Sequence, residues 1–91
     1  MTDAQVPAIT MYSTGWCPFC DRARALLQRK NLTFDEVKVD EDDSQRKVML
    51  ERTGGRRTVP QIFIGDRHVG GYDDLYALDK AGELDKLTGR A

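Results

Sequence analysis

The chain has 91 residues, enough for one compact domain and too few for two with separate cores. Lys and Arg total 14 against 15 Asp and Glu, a formal net charge of -1, which gives no reason to expect nucleic-acid binding or attraction to an anionic membrane. Two cysteines separated by two residues exclude a secreted disulfide framework, which needs several dispersed pairs; in a reducing compartment such a pair reads as redox-active or metal-binding.

Met1 to Pro7 holds no basic n-region, and the apolar stretch after it is too short for a signal segment or a membrane span, which predicts a soluble cytoplasmic protein. Ala8-Ile9-Thr10-Met11-Tyr12-Ser13 is β-branched and aromatic and reads as a buried strand ending in Thr14-Gly15. From Pro18 to Lys30, Ala23, Leu26, Leu27 and Lys30 recur at helical spacing, with Pro18 suited to the first turn and Asn31 to the stop. Phe34 to Val39 alternates apolar and charged residues and reads as a second strand, parallel to the first across a right-handed helical crossover.

Ser44 to Thr53 predicts a shorter helix that stops at Gly54-Gly55. Gln61-Ile62-Phe63-Ile64 and Arg67-His68-Val69, joined by Gly65-Asp66, have the shape of an antiparallel hairpin. Asp73 or Asp74 can cap a helix bearing Leu75, Leu78 and Ala81, closed by Gly82 and followed by a last helical turn at Leu84 to Leu87. The order βαβαββα predicts an α/β domain with a four-stranded mixed β-sheet flanked by helices, one domain over 1–91 with residues 1–7 disordered or extended.

Cysteines at i and i+3 on a first helical turn have Cα atoms about 5 to 5.5 Å apart, within the reach of a disulfide. Cys17 falls at or before the helix start, where unpaired N–H groups and the dipole favour a thiolate; Cys20 lies one turn in and is expected to titrate more normally. A drop of three pKa units raises the thiolate fraction about thirtyfold at pH 7 but lowers its nucleophilicity about twentyfold, so the main gain is a better leaving group. That suits a carrier of transient disulfides. A zinc site would need further Cys or His ligands, and the chain offers only His68, which reads as a hairpin residue.

Trp16-Cys17-Pro18-Phe19-Cys20, Thr58-Val59-Pro60 and Gly70-Gly71-Tyr72-Asp73-Asp74 follow one another in the order and spacing of the bacterial dithiol glutaredoxins, and over about residues 8 to 88 the chain resembles that family, glutaredoxin 3-like members above all. The resemblance implies a thioredoxin-like fold and a cis bond before Pro60 facing the cysteines. It implies catalytic roles for Cys17 and Cys20, no bound cofactor or metal, and glutathione as co-substrate. Val59, in Thr58-Val59-Pro60, would pair with the glutathione backbone by strand addition. The helix start at Gly71, Tyr72 and Asp73 would receive the γ-glutamyl carboxylate and the Asp74 carboxylate its ammonium, although the same segment also reads as a plain turn and helix cap.

Arg57 and its neighbour Arg56 stand where the family holds the glycine carboxylate, a solvated basic surface being the alternative, and Lys47 is a weaker candidate. Three positions depart from the family's habit: Thr14 replaces a common Lys, Phe19 a common Tyr, and Tyr72 the third cysteine of several relatives. Trp16 reads either as an exposed docking surface or as a packing residue. Implied partners are glutathione and glutathionylated or disulfide-containing proteins, with ribonucleotide reductase as one candidate, for a monomer that binds neither nucleic acid nor membrane. Two rival readings are a thioredoxin-like donor recharged by a flavin reductase and an iron-sulfur carrier in which Cys17 of two subunits and two glutathiones hold a cluster.

Overall fold

The computed structural model describes residues 8–89, so the expectation for residues 1–7 lies outside the described residues. Eight elements follow in order: β1 (Ile9–Ser13), α1 (Pro18–Arg29), β2 (Asp35–Lys38), α2 (Asp43–Thr53), β3 (Gln61–Ile64), β4 (Arg67–Gly70), α3 (Tyr72–Lys80) and α4 (Glu83–Leu87). The strands form one sheet in the order β2-β1-β3-β4. β1 runs parallel to β2 and antiparallel to β3, and β3 and β4 form the antiparallel hairpin. The thioredoxin-like, four-stranded mixed sheet expected from the sequence is the one observed.

Local chemistry explains the boundaries. Cys17 caps α1, Pro18 occupies its first turn, and Asn31 ends it with a φ of 58°, a left-handed backbone that Asn tolerates better than most residues. Asp42 caps α2 by accepting the N–H groups of Ser44 and Gln45, and Gly54 closes it at φ 74°. One boundary differs from expectation. The cap of α3 is Gly71, and Asp73 and Asp74 lie inside its first turn; Asp74 reaches back to accept the Gly71 N–H at 3.1 Å. Gly82, left-handed at φ 78° just after the C-cap Ala81, closes α3 as expected and also serves as the cap of α4.

Alternate residues of each strand face opposite sides of the sheet. Met11, Ile62 and Ile64 join Ala23, Leu26 and Leu27 of α1, Leu75 of α3 and Leu84 of α4 in one buried cluster. Tyr12 and Phe63 join Val39 and Met49 of α2 in a smaller cluster on the other side. The sheet thus carries α1, α3 and α4 on one face and α2 on the other. No helix among the described residues is long and apolar enough to cross a membrane.

Candidate active site

Three chain segments meet at one edge of the fold: the start of α1, the loop before β3 and the start of α3. The first is delivered by β1, whose end leads through Thr14 and Gly15 to the cysteines. The Gly15 N–H donates to the Asp40 carboxylate at 3.0 Å, tying this turn to the segment after β2. Trp16 beyond it is 85% exposed, so the packing alternative for its indole is ruled out. Farther along α1, the Arg24 guanidinium grips Asp21 and both oxygens of Glu36, which also accepts the Ser13 hydroxyl at 2.6 Å. The Arg24 hydrogen bond is the main reason the Glu36 carboxyl is held below its ordinary value. This network fixes the helix against β1 and β2.

Cys17 has extended backbone, φ -161°, and its sulfur takes the place of the usual capping oxygen by accepting the Cys20 N–H at 3.1 Å. The same sulfur lies 3.8 Å from the Val59 carbonyl oxygen, to which its thiol donates. It is partly exposed, whereas Cys20 is fully buried, and both thiols are free. Burial, followed by the hydrogen bond with Cys17, pushes the Cys20 thiol up to about 12. The expectation that Cys20 titrates ordinarily is therefore corrected. Its position three residues before Ala23 and seven before Leu27 puts it on the buried stripe of α1, and that spacing was the signal available in the sequence.

The Val59-Pro60 bond is cis, with Pro60 buried and Thr58 exposed. Beside it opens a groove of about 190 Å³ lined by Phe19, Arg56, Thr58, Val59, Pro60, Gly71, Tyr72, Asp73 and Asp74. Every residue singled out from the second and third motifs thus lies on one concave surface. Of the basic candidates Arg56 lines it; Arg57 is exposed in the same loop, and neither it nor Lys47 is among the lining residues. Gly70 makes the close approach possible: at φ 117°, a Cβ there would fall 2.2 Å from the Asp74 carboxylate. Phe19 and Tyr72 form an aromatic wall, ring centroids 6.5 Å apart, with the Arg22 guanidinium 5.1 Å from the Phe19 ring. No three His, Cys, Asp or Glu side chains gather as a metal site among the described residues.

Two residues behind the groove were given no role at the site by the sequence reading. Gln61 is fully buried, and its amide nitrogen donates to the carbonyl and hydroxyl oxygens of Thr58 at 2.9 and 3.1 Å. Its amide oxygen lies 2.7 Å from Nε2 of His68. A polar residue two positions from Phe63 shares its inward face of β3, and a buried amide requires partners; that was the missed signal.

A topology of this kind, offering one accessible sulfur and keeping a second in reserve one turn away, equips the molecule for exchange between thiols and disulfides, and its class is the thiol-disulfide oxidoreductases of thioredoxin-like fold. Residues 9–69 match the family model described as Glutaredoxin. A probable glutaredoxin of Synechocystis is 53% identical over 79 residues, covering 87% of this chain and 90% of its own. Glutaredoxin 3 of Escherichia coli is 49% identical over 79 residues, 87% of this chain and 94% of its own. A buckwheat glutaredoxin-glutathione complex superposes with a TM-score of 0.81 at 27% identity, over 91% of this chain and 77% of the buckwheat chain. The chain belongs to the glutaredoxin family, as the three motifs implied.

Proposed function

We propose that the protein is a glutathione-dependent reductase of mixed disulfides and protein disulfides, acting as a single domain and a monomer with Cys17 as nucleophile. The observation that carries the reading is the contrast between the two sulfurs: Cys17 sits at the helix cap beside the groove, and Cys20 lies buried with its thiol pushed up to about 12. In the proposed reaction the Cys17 thiolate attacks the glutathione sulfur of a glutathionylated substrate. That S–S bond breaks, the substrate thiolate leaves and takes up a proton, and glutathione remains disulfide-bonded to Cys17. A second glutathione thiolate attacks the glutathione sulfur on Cys17, releasing oxidised glutathione and restoring Cys17.

With a protein disulfide, Cys17 first forms a mixed disulfide with one substrate sulfur. Cys20 then gives up its proton, attacks Cys17 and frees the second substrate thiol. Two glutathiones reduce the Cys17-Cys20 bond in turn. The groove supports a peptide ligand of this shape: Thr58, Val59 and Pro60 offer backbone for strand-like pairing. The N–H groups at Tyr72 and Asp73 suit the γ-glutamyl carboxylate, and Asp74 its ammonium. Asp74 already accepts the Gly71 N–H, so one carboxylate would serve both the cap and the ligand. Arg56 and Arg57 supply cations for the glycine carboxylate, Arg56 being the one that lines the groove.

The deciding measurement is glutathione-dependent turnover of a small glutathionyl mixed disulfide by the wild type and both cysteine variants. Cys20→Ser keeps that activity and loses reduction of dithiol substrates, and Cys17→Ser loses both. Activity surviving in Cys17→Ser would sink the assignment, and turnover supported by a flavin reductase but not by glutathione would favour a thioredoxin-like donor.

A further inference from the structure

The loop before β3 is anchored at Arg56, whose N–H donates to the Thr53 hydroxyl at 3.0 Å, and again at Thr58. Thr58 is exposed, yet its carbonyl and hydroxyl oxygens are both tied to one side chain, Gln61, which is buried beneath them. The orientation of that amide is fixed by chemistry. A carbonyl oxygen only accepts, so the Gln61 nitrogen must face Thr58 and the Gln61 oxygen must face His68. That oxygen in turn only accepts, so His68 must carry a proton on Nε2.

The His68 ring is held by stacking on Phe63, with centroids 4.7 Å apart and planes 19° apart, and the Arg52 guanidinium lies 3.9 Å from the same Phe63 ring while donating to the Tyr12 hydroxyl at 3.0 Å. A relay therefore runs from the β1–β3–β4 face through His68 and Gln61 to Thr58. Its geometric consequence lies in the next peptide unit. The C=O of Thr58 and the N–H of Val59 belong to one planar trans peptide and point in opposite directions. Holding the Thr58 carbonyl inward turns the Val59 N–H outward. The Val59 carbonyl meets the Cys17 sulfur, so the two Val59 backbone groups needed for strand-like pairing are set together.

We infer that Gln61, oriented by His68, is a positioning residue that aims the Val59 backbone at the bound peptide, and that it controls binding of the disulfide substrate without taking part in thiol chemistry. The inference rests on the glutathione reading above. Its test uses Gln61→Glu, which keeps the size and the acceptor toward His68 but removes both donors, and His68→Phe, which keeps the stack on Phe63 but removes the Nε2 proton.

For Gln61→Glu, KM for a glutathionyl mixed disulfide rises about tenfold, the scale of one or two neutral hydrogen bonds, while kcat stays within about twofold. The rate of Cys17 alkylation by iodoacetamide is unchanged, and the 15N order parameter of the Val59 amide falls while those of β3 hold. His68→Phe raises KM about threefold and lowers the Val59 order in the same direction. Unchanged KM and unchanged Val59 order in a folded Gln61→Glu protein would overturn the inference, as would a parallel loss of kcat and alkylation rate. If Gln61→Glu does not fold, His68→Phe decides by the same readings. A wild type with no saturable turnover of the mixed disulfide would instead remove the glutathione reading, and the Val59 order alone would then decide the relay.

Discussion

Under α1, α3 and α4 the buried side chains of the core cluster are all apolar, whereas on the face under α2 a smaller apolar cluster shares its surroundings with Arg52, Gln61 and His68. The first arrangement is suited to stability, because buried hydrocarbon contributes in proportion to area and demands no particular orientation. The second is suited to aim. Each of its polar groups is directional, and none of the buried side-chain nitrogen or oxygen atoms among the described residues lacks a partner. One sheet thus separates the task of holding the fold from the task of pointing a loop, and the strand β3 belongs to both, with Ile62 and Ile64 on one side and Gln61 and Phe63 on the other.

That contrast can be broken by measurement. The largest effect is expected from Leu26→Ala, a fully buried truncation in the apolar cluster, which should cost about 3 kcal/mol in urea unfolding and leave KM of the surviving folded protein unaltered. On the second face, Phe63→Leu should cost less, about 1 to 2 kcal/mol, yet raise KM, because the ring against which His68 and Arg52 lie is gone. Equal stability losses with no kinetic difference would erase the distinction between the faces.

The smallest effect is a pH dependence. His68 is held below the usual histidine value chiefly by burial, then by the Arg56 charge, against an opposing pull from Asp74 and with a lesser push from Arg52. A depressed histidine favours the fold while neutral. Its contribution is complete above the unfolded value, roughly 6.5, and is lost as pH falls through the lower folded value. Wild type should therefore lose stability relative to His68→Phe over that acid range, read from urea midpoints at a series of pH values. A relative gain on acidification would contradict the assignment.

Much of the fold was readable from the chain because its signals are local. The alternation in Phe34 to Val39, the helical spacing of Ala23, Leu26 and Leu27, and the turn residues Gly54 and Gly65-Asp66 each point to the element that forms there. The groove was readable because its residues, Phe19 and Arg56 apart, lie in two contiguous motifs. What escaped depends on contacts across the sequence. The depth of Cys20 is set by how α1 rolls on the sheet, and the service of Gln61 to Thr58 depends on His68, seven residues away on another strand. The cap of α3 was misplaced because Asp73 and Asp74 look like caps in sequence, whereas the backbone already turns at Gly70 and Gly71. Arg56, not Arg57, reaches the groove, a choice that two adjacent identical residues do not announce.

Trp16 is the chain's one tryptophan, and it stands in water next to Cys17. An indole already hydrated in the native state changes its surroundings little when the chain unfolds, so its emission is a poor gauge of stability, and far-ultraviolet circular dichroism is the better choice for the urea experiments. The same isolation makes it a clean optical reporter of its neighbour. A group joined to the Cys17 sulfur alters the quenching around a single fluorophore, with no second indole in the core to dilute the signal, so sulfur chemistry and unfolding can be followed in one cuvette by two separate lights.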